Sequence, residues 1–351
     1  MDEKDYWRSE RVAFLALCQL KGIGYWTLHK WSIASVSFKD VLRDPSKFGI
    51  EKSVAAIAKN MDEPVDIVWR QGLAAARQLA SMSVVLVFKG EPEFPQRLRD
   101  IADGPAWIFV QGAIENLYGP TVGVVGTRDP SPDGIFLTRM VVAALHGVKL
   151  STVSGLAVGI DQTAHVESLS CNIPTIAVLG TGIFENYPKN SGQLRQRILD
   201  SGGTIVTEYL PSQSYSAENF VRRNRIQAAL SDVLIPVEWK IKSGTAHTVR
   251  FAKSYGKRIM GVSLPYHSGP TPEITYIEKE CGGIAFTLPR QSDTLYNIVS
   301  TLSDSDVSIE DEVVVQVDTS LEHDAPIKIE SSQVVFDEIQ SPESGQLPLI
   351  L

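Results

Sequence analysis

Six nearly continuous apolar runs, separated by segments with helical spacing of apolar residues, occupy the middle of the chain. The runs cover residues 121–126, 150–155, 175–180, 203–209, 232–239 and 258–264, and the helical stretches between them cover residues 134–147, 160–170, 192–200, 224–230 and 245–255. Strands as apolar as these are typical of a parallel sheet that helices cover on both faces. The pattern therefore predicts a doubly wound α/β sheet over residues 120–290.

Residues 1–82 have a different pattern, with apolar positions at helical spacing such as Val12 and Leu15. They predict a small helical domain. Within it, Gly22-Ile23-Gly24 is expected to form a tight turn between two short helices, as in helix-hairpin-helix (SAM-like) modules that hold nucleic-acid backbones. An ordinary turn between helices remains the alternative, because a GxG pattern alone is weak evidence for nucleic-acid binding.

Two further segments flank the predicted sheet. Residues 83–119 contain two strand-like runs around loops with prolines, and we interpret them as a lead-in to the sheet domain. Residues 303–351 are rich in Ser, Asp and Glu, a composition too polar to bury a core, so a flexible acidic tail is expected.

The charge is unevenly distributed. The net charge of the chain is −8, but residues 301–351 alone contain 12 acidic residues and one Lys. Residues 187–258 contain 12 Lys and Arg against five Asp and Glu, a net of +7. A basic region in the body of the chain indicates anion binding, and a merely solvated charged face is the alternative.

The hydropathy of the chain and its three cysteines argue against several classes of protein. No apolar run is long enough to span a bilayer, and the acidic start MDEKDYW is unlike a signal peptide, so a cytoplasmic protein without membrane contact is expected. Cys18, Cys171 and Cys281 lie far apart, which supports neither disulfides nor a zinc site. We interpret them as small core residues.

Three loops rich in small residues follow predicted strands, at residues 126–132, 154–161 and 180–190. Ligands of open α/β sheets bind where strands end, and glycines there let backbone amides approach an anion. In the first loop Ser131 is expected to cap a helix that starts at Pro132, with Arg128 over the crevice. The three loops together predict phosphate or nucleotide binding.

Several catalytic motifs are missing from the sequence. It contains no GxGxxG, no GxxxxGK[ST] and no GxSxG, which disfavours a dinucleotide enzyme, a P-loop ATPase and a serine hydrolase. Asp161 and His165 share a helix face and could orient a general base. A structural hydrogen-bond role is the favoured interpretation of that pair.

Arg222, Arg223 and Arg225 precede the apolar segment IQAAL, so we expect their charges at a helix N-terminus. Positive charge there opposes the helix dipole unless an anion compensates. Arginine can bind phosphates or stack on bases, and Phe184, Tyr187 and Phe220 offer aromatic surfaces. The alternative is that the arginines pair with the carboxylates of Glu208, Glu218 or Glu238.

The motifs VVGTRDPSPDG, SGLAVGIDQTAH, TIAVLGTGIFENYPKN and RRNRIQAALSDVLIPVEW occur in this order. The run resembles the DNA-processing protein A family (DprA or Smf) over about residues 22–286. The resemblance implies a Rossmann-like domain that binds single-stranded DNA without sequence readout, with no cofactor and no enzymatic activity. It also implies a homodimer that protects the strand and loads the RecA recombinase during DNA uptake and natural transformation.

The resemblance further implies which residues contact DNA, carried over by motif. The implied DNA-binding residues are Gly126, Arg128, Ser154, Gly155, Lys189, Arg223, Asn224 and Arg225.

The sequence departs from the family pattern in some places. Asn219-Phe220-Val221 replaces the usual Phe-Pro, and Val237-Glu238-Trp239 replaces VEA. An acidic tail stands where many members carry a winged helix. The alternative function is a nucleotide-binding or N-glycoside-cleaving enzyme of the same superfamily, for example one that acts in phage defence. Its PGGxGTxxE motif is absent, and SGTAHTV is the nearest segment.

Overall fold

The order of helices and strands positions the functional edge of the protein. A computed structural model describes residues 3–58, 63–266 and 269–304. The helices are α1 Glu3–Leu17, α2 Tyr25–Ile33, α3 Phe38–Arg43, α4 Glu51–Ala58, α5 Pro64–Ser81, α6 Gln96–Arg99, α7 Pro132–Ala143, α8 Ile160–Ser170, α9 Gly192–Asp200, α10 Ala217–Leu230, α11 Gly244–Ser254, α12 Pro272–Glu280 and α13 Ser292–Asp304. The strands are β1 Val84–Phe88, β2 Trp107–Gly112, β3 Thr121–Gly126, β4 Ser151–Ser154, β5 Thr175–Val178, β6 Thr204–Thr207, β7 Val233–Val237, β8 Arg258–Ser263 and β9 Ile284–Thr287.

The strands form one nine-stranded sheet in the order β1-β2-β6-β5-β4-β3-β7-β8-β9. Strands β3 to β9 pair in parallel, while β1 pairs with β2 and β2 with β6 in antiparallel fashion. The chain winds outwards from β3 in both directions, since β4 lies on one side of it and β7 on the other. The predicted doubly wound α/β class is confirmed.

Each of the six predicted apolar runs contains one strand, from β3 to β8. Their residues are almost all buried, as a sheet covered on both faces requires. The pattern missed β9, where Ile284 is exposed and only Phe286 is buried. β9 has four residues at the edge of the sheet and is only partly buried, so it is not one of the strands covered on both faces that the pattern identifies.

The helix boundaries contain one error that matters for the site. Ser131 caps α7 as predicted, with its Oγ accepting a hydrogen bond from Gly134 N at 3.1 Å. Helix α10, however, begins at Ala217 and not near residue 224, because Ser216 caps it through Asn219 N at 3.0 Å. The arginines after Val221 therefore lie in the second and third turns, away from the N-terminus where we expected them.

Helices α1 to α5 pack onto the antiparallel end of the sheet. The turn at residues 22–24 joins α1 to α2 as predicted, with Gly22 at φ +88°. Phe14 of α1 lies 4.8 Å, ring to ring, from Trp107 of β2 and 5.5 Å from Phe88 of β1. One aromatic core thus joins the helical segment to β1 and β2.

Three other expectations concern the cysteines, the membrane and the acidic tail. Cys18, Cys171 and Cys281 are free and partly buried and pack against core clusters, so they lie at the border of the core and not fully inside it. In the described part of the chain, no helix combines the length and the apolar composition that crossing a membrane requires. The predicted tail, residues 303–351, lies outside the described residues apart from the two that end α13.

Candidate nucleic-acid interface

The carboxyl ends of β3, β4, β5 and β7 meet at one edge of the sheet, where the three loops rich in small residues converge. Gly126 pairs with Val237 at the ends of β3 and β7. Thr127 ties the first loop to both neighbours, since its N–H donates to Glu238 O at 3.0 Å and its carbonyl accepts from Ile160 N at 3.1 Å. The loop after β3 is therefore fixed from two sides.

Gly159 permits this close approach of loops. Its φ is +87°, and a Cβ at this position would overlap the carbonyl of Thr127 and the backbone of Arg128. Only glycine fits both the conformation and the space. The backbone behind Arg128 is thus fully packed, which leaves its side chain on the solvent side, where it is exposed.

Arg128 lies over one ring of a group of three, which we call the aromatic cluster: Tyr187, Tyr215 and Phe220. The guanidinium carbon of Arg128 lies 5.2 Å from the centre of the Phe220 ring. Tyr187 lies 4.6 Å from both Phe220 and Tyr215, between ring centres. Lys189 is exposed two residues after Tyr187. The edge thus combines two exposed cations with a packed group of aromatic rings.

Arg223 supports this edge from inside. It is 3% exposed, and its Nη1 donates to Gly155 O at 2.6 Å and to Val178 O at 2.5 Å. A Cβ on Gly155 would overlap that Nη1, so the glycine makes room for the guanidinium. Arg223 thereby joins the ends of β4 and β5, and its charge is enclosed with that of Asp161, which is 6% exposed.

Arg225 is buried in the same way but on the other side of α10. At 2% exposure it forms two hydrogen bonds with the Glu208 carboxylate, at 2.8 and 2.7 Å, and its Nε donates to Asp103 O at 2.8 Å. Glu208 is itself 1% exposed. The structure thus shows pairing with Glu208, one of the alternatives considered for the arginines, whereas Glu238 accepts from Ser131 N.

The remaining predicted site residues hold the loops in place. Ser154 is fully buried and its Oγ donates to Val124 O at 2.7 Å. Asn224 is 9% exposed and its Nδ2 donates to Gly244 O at 3.2 Å. Gly126 faces Val237 O so closely that a Cβ would overlap it. Of the eight predicted residues, Arg128 and Lys189 alone have exposed side chains in the described structure.

Asp161 and His165 do not form a catalytic pair. His165 is fully buried, and its Nδ1 shares a hydrogen bond with Thr175 Oγ1 at 2.7 Å. Burial, with a smaller effect of the Arg223 charge, lowers the pKa of His165 to about 3, so the ring stays neutral near pH 7. Asp161 accepts from Gly155 N at 3.1 Å. In the described residues, no group of three or more His, Cys, Asp and Glu could hold a metal ion.

Sequence reasoning misplaced one aromatic residue and missed another. Phe184, expected as a stacking surface, packs against the large core cluster. Tyr215, which the sequence analysis did not select, is 55% exposed and completes the aromatic cluster. It lies in a polar loop before α10, and only the tertiary fold brings it to Tyr187.

Comparison with known proteins decides the family. The family model described as DNA recombination-mediator protein A matches residues 58–271, more than half of the chain. The chain belongs to this family. The protein Smf of Synechocystis is 37% identical over 179 residues, which cover 50% of this chain and 44% of Smf. This chain spans about half the length of the first curated relatives that it matches.

Two solved structures of family members share the fold. DNA processing protein A from Streptococcus pneumoniae is 25% identical, with a TM-score of 0.56 over 78% of this chain and 98% of that one. The Helicobacter pylori protein is also 25% identical, with a TM-score of 0.53 over 64% of this chain and 98% of that one. The latter structure is described in terms of a unique single-stranded DNA binding mode.

Proposed function

We propose that this member of the recombination-mediator family binds single-stranded DNA without reading its sequence. The observation that carries the proposal is the exposed Arg128 over the Phe220 ring of the aromatic cluster. Tyr187 of that cluster lies two residues before the exposed Lys189. The protein acts by binding, not by catalysis. Arg128 and Lys189 contact the DNA directly, and the buried residues of the site hold them in place.

The chemistry of the edge suits an unpaired strand. Every base has an aromatic face, so stacking on tyrosine and phenylalanine tolerates any sequence and contributes about 1–3 kcal/mol per base. Arginine and lysine attract the phosphates between the bases. In a duplex the bases are stacked on one another and paired, so the aromatic cluster could reach them only after unpairing. The single-stranded DNA binding described for the Helicobacter pylori relative supports the interpretation that the edge binds an unpaired strand.

Family membership supports the wider role. A recombination mediator must hold a strand and then release it to another protein, and contacts made mostly by exposed side chains suit repeated release. We propose that the protein works as a homodimer that protects single-stranded DNA and delivers it to a RecA-type recombinase during DNA uptake. This part of the proposal rests on the family and not on a contact in the described structure.

The test measures the affinity for a labelled oligo(dT) at several salt concentrations, in wild type and in Arg128→Ala. Each neutralised phosphate contributes about −0.7 to the slope of log K against log salt, so Arg128→Ala should weaken binding and flatten the slope by about that amount. Arg77→Ala is the matched control, since Arg77 is exposed on α5, which supplies none of the site residues.

Salt-independent binding, or an Arg128→Ala slope equal to that of wild type, would contradict the proposal. Incubation of the protein with nucleotides provides the second arm, because cleavage of any N-glycosidic bond would favour the enzyme alternative instead.

A further inference from the structure

A second group of aromatic and basic side chains lies on the other side of α10. Trp26 is 55% exposed, although indole is among the most apolar side chains. The guanidinium carbon of Arg222 lies 4.4 Å from the centre of its ring and 5.4 Å from that of Tyr25. This group, Tyr25, Trp26 and Arg222, is not part of the site described above.

Arg222 has hydrogen-bonding capacity to spare. Its Nη2 donates to Tyr25 Oη at 3.3 Å, which is the one hydrogen bond that its guanidinium donates within the described residues. Its Nε is buried and lies 3.6 Å from Glu208 Oε1, close enough for an ion pair but beyond hydrogen-bond range. A guanidinium carries four further N–H donors on Nη1 and Nη2, and one of these is used, so the group can still donate to a phosphate.

Trp26 forms a platform that is supported from behind. Tyr25 is 6% exposed, and its hydroxyl donates to Glu208 Oε2 at 2.6 Å. The ring of Trp26 stands edge to face on Tyr25 at 5.1 Å and on His29 at 5.7 Å. An aromatic ring already held in position loses little conformational freedom when a ligand stacks on it.

The position of the second group relative to the first follows from helix geometry. Phe220 of the aromatic cluster and Arg222 are two residues apart on α10, so they lie about 3 Å apart along the helix axis but point to different sides. Val221 between them is 37% exposed, which keeps the surface of the helix open there. A strand that leaves the aromatic cluster can therefore cross the early turns of α10 and reach Trp26.

We propose that Trp26 and Arg222 form a second subsite for the same single strand. A base stacks on the indole of Trp26, and a neighbouring phosphate accepts hydrogen bonds from Arg222. A nucleic acid fits this surface better than an apolar peptide, because the exposed ring is combined with a cation that retains unused donors. This inference rests on the proposed function and extends its binding track to the helical segment.

Oligonucleotide length separates the two subsites. We would compare oligomers of about 6 and about 20 nucleotides, within and beyond the range that one binding domain covers. Trp26→Leu should weaken binding of the longer oligomer by about five- to tenfold and leave the shorter one unchanged, while Trp26→Phe restores most of the loss. Ile33→Ala is the matched control, since Ile33 is exposed on the same helix.

Tryptophan fluorescence supplies a direct readout of stacking. The longer oligomer should quench the emission of wild type more than that of Trp26→Phe, and thermal melting of each variant shows that it is folded. Trp26→Leu that binds both oligomers like wild type would overturn the inference, as would an equal loss for both lengths. If Arg128→Ala also bound like wild type, the proposed function itself would fail.

Discussion

Two pairs of basic residues from the motifs that predicted the site have opposite environments. Arg128 and Lys189 are exposed, and Arg128 is placed on an aromatic ring. Arg223 and Arg225 are 3% and 2% exposed and bonded to backbone carbonyls or to Glu208. All four were expected to contact DNA. The structure divides them into two that can reach a ligand and two that hold the loops which present it.

The two buried arginines belong to one motif, yet they hold different parts of the structure. Along α10, Arg223 reaches towards the ends of β4 and β5, whereas Arg225 reaches Glu208 at the end of β6. Buried charges are stable when they are paired and hydrogen-bonded, and removal of one partner costs far more than loss of an exposed ion pair. The two pairs should therefore respond to substitution in different measurements, stability for the buried pair and DNA affinity for the exposed pair.

The largest effect is expected from Arg225→Ala. It leaves the Glu208 carboxylate buried with only Tyr25 and the more distant Arg222 nearby, so the free energy of unfolding should fall by about 3–5 kcal/mol. Chemical denaturation measures the loss. Arg77→Ala should change stability by less than about 0.5 kcal/mol.

The same variant can also contradict the division between the buried and the exposed pair. If Arg225→Ala kept the stability of wild type but lost DNA binding, Arg225 would belong with the exposed cations, and the ion pair with Glu208 would have to open when DNA binds. A second substitution, Glu208→Gln in the Arg225→Ala background, should recover part of the stability, because it removes the unpaired charge.

The fold was more accessible to sequence reasoning than the site. Each apolar run from β3 to β8 is buried on both faces, so its pattern alone identified a strand. The position of Ser131 before Pro132 likewise identified the start of α7. These features depend on local sequence, and local sequence was sufficient for them.

The site depends on long-range packing that local sequence does not contain. The start of α10 was missed because Ser216 and Asn219 were not considered as a cap, and the arginines were then placed at a helix end. Whether Arg225 is free or paired depends on Glu208 at the end of β6. From the sequence alone, Glu218 or Glu238 could have paired with Arg225 equally well. Tyr215 reaches the aromatic cluster only through tertiary contacts.

Gly155→Ala tests the link between a loop and a buried arginine. The new Cβ would overlap Arg223 Nη1, so the guanidinium must move and lose its bonds to Gly155 O and Val178 O. Overpacking of this kind costs about 1–3 kcal/mol, which a lower melting temperature would show. Gly119→Ala is the control, since a Cβ at that position meets open space and its backbone is not in the left-handed region. An unchanged melting temperature for Gly155→Ala would show that Arg223 is not needed for the fold of this edge.

Tyr215→Ala tests an exposed side chain of the aromatic cluster. Its expected effect on free energy is smaller than that of the buried-residue variants. The ring is 55% exposed, so its loss should leave the melting temperature nearly unchanged. Binding of single-stranded DNA should weaken by about 1 kcal/mol, near the lower end of the range for one stacked base. Tyr296→Ala is the control, since Tyr296 is also exposed but lies on α13. Equal losses for the two variants would mean that the aromatic cluster has no special role.

The smallest effect is expected from the acidic tail. Residues 301–351 contain 12 acidic residues and one Lys, and we expect them to compete with DNA for the exposed Arg128 and Lys189 because they belong to the same chain. Individual exposed charge pairs contribute about 0–1 kcal/mol and salt screens them, so this competition should be weak. Deletion of residues 305–351 should therefore tighten DNA binding slightly at low salt, and the affinities of the two proteins should converge at high salt.

In the Arg128→Ala background the gain in affinity on deletion should shrink, because one of the cations for which the tail is expected to compete is gone. A gain that persists at high salt would require a contact other than charge, and equal affinities at every salt concentration would show that the tail does not compete for these cations.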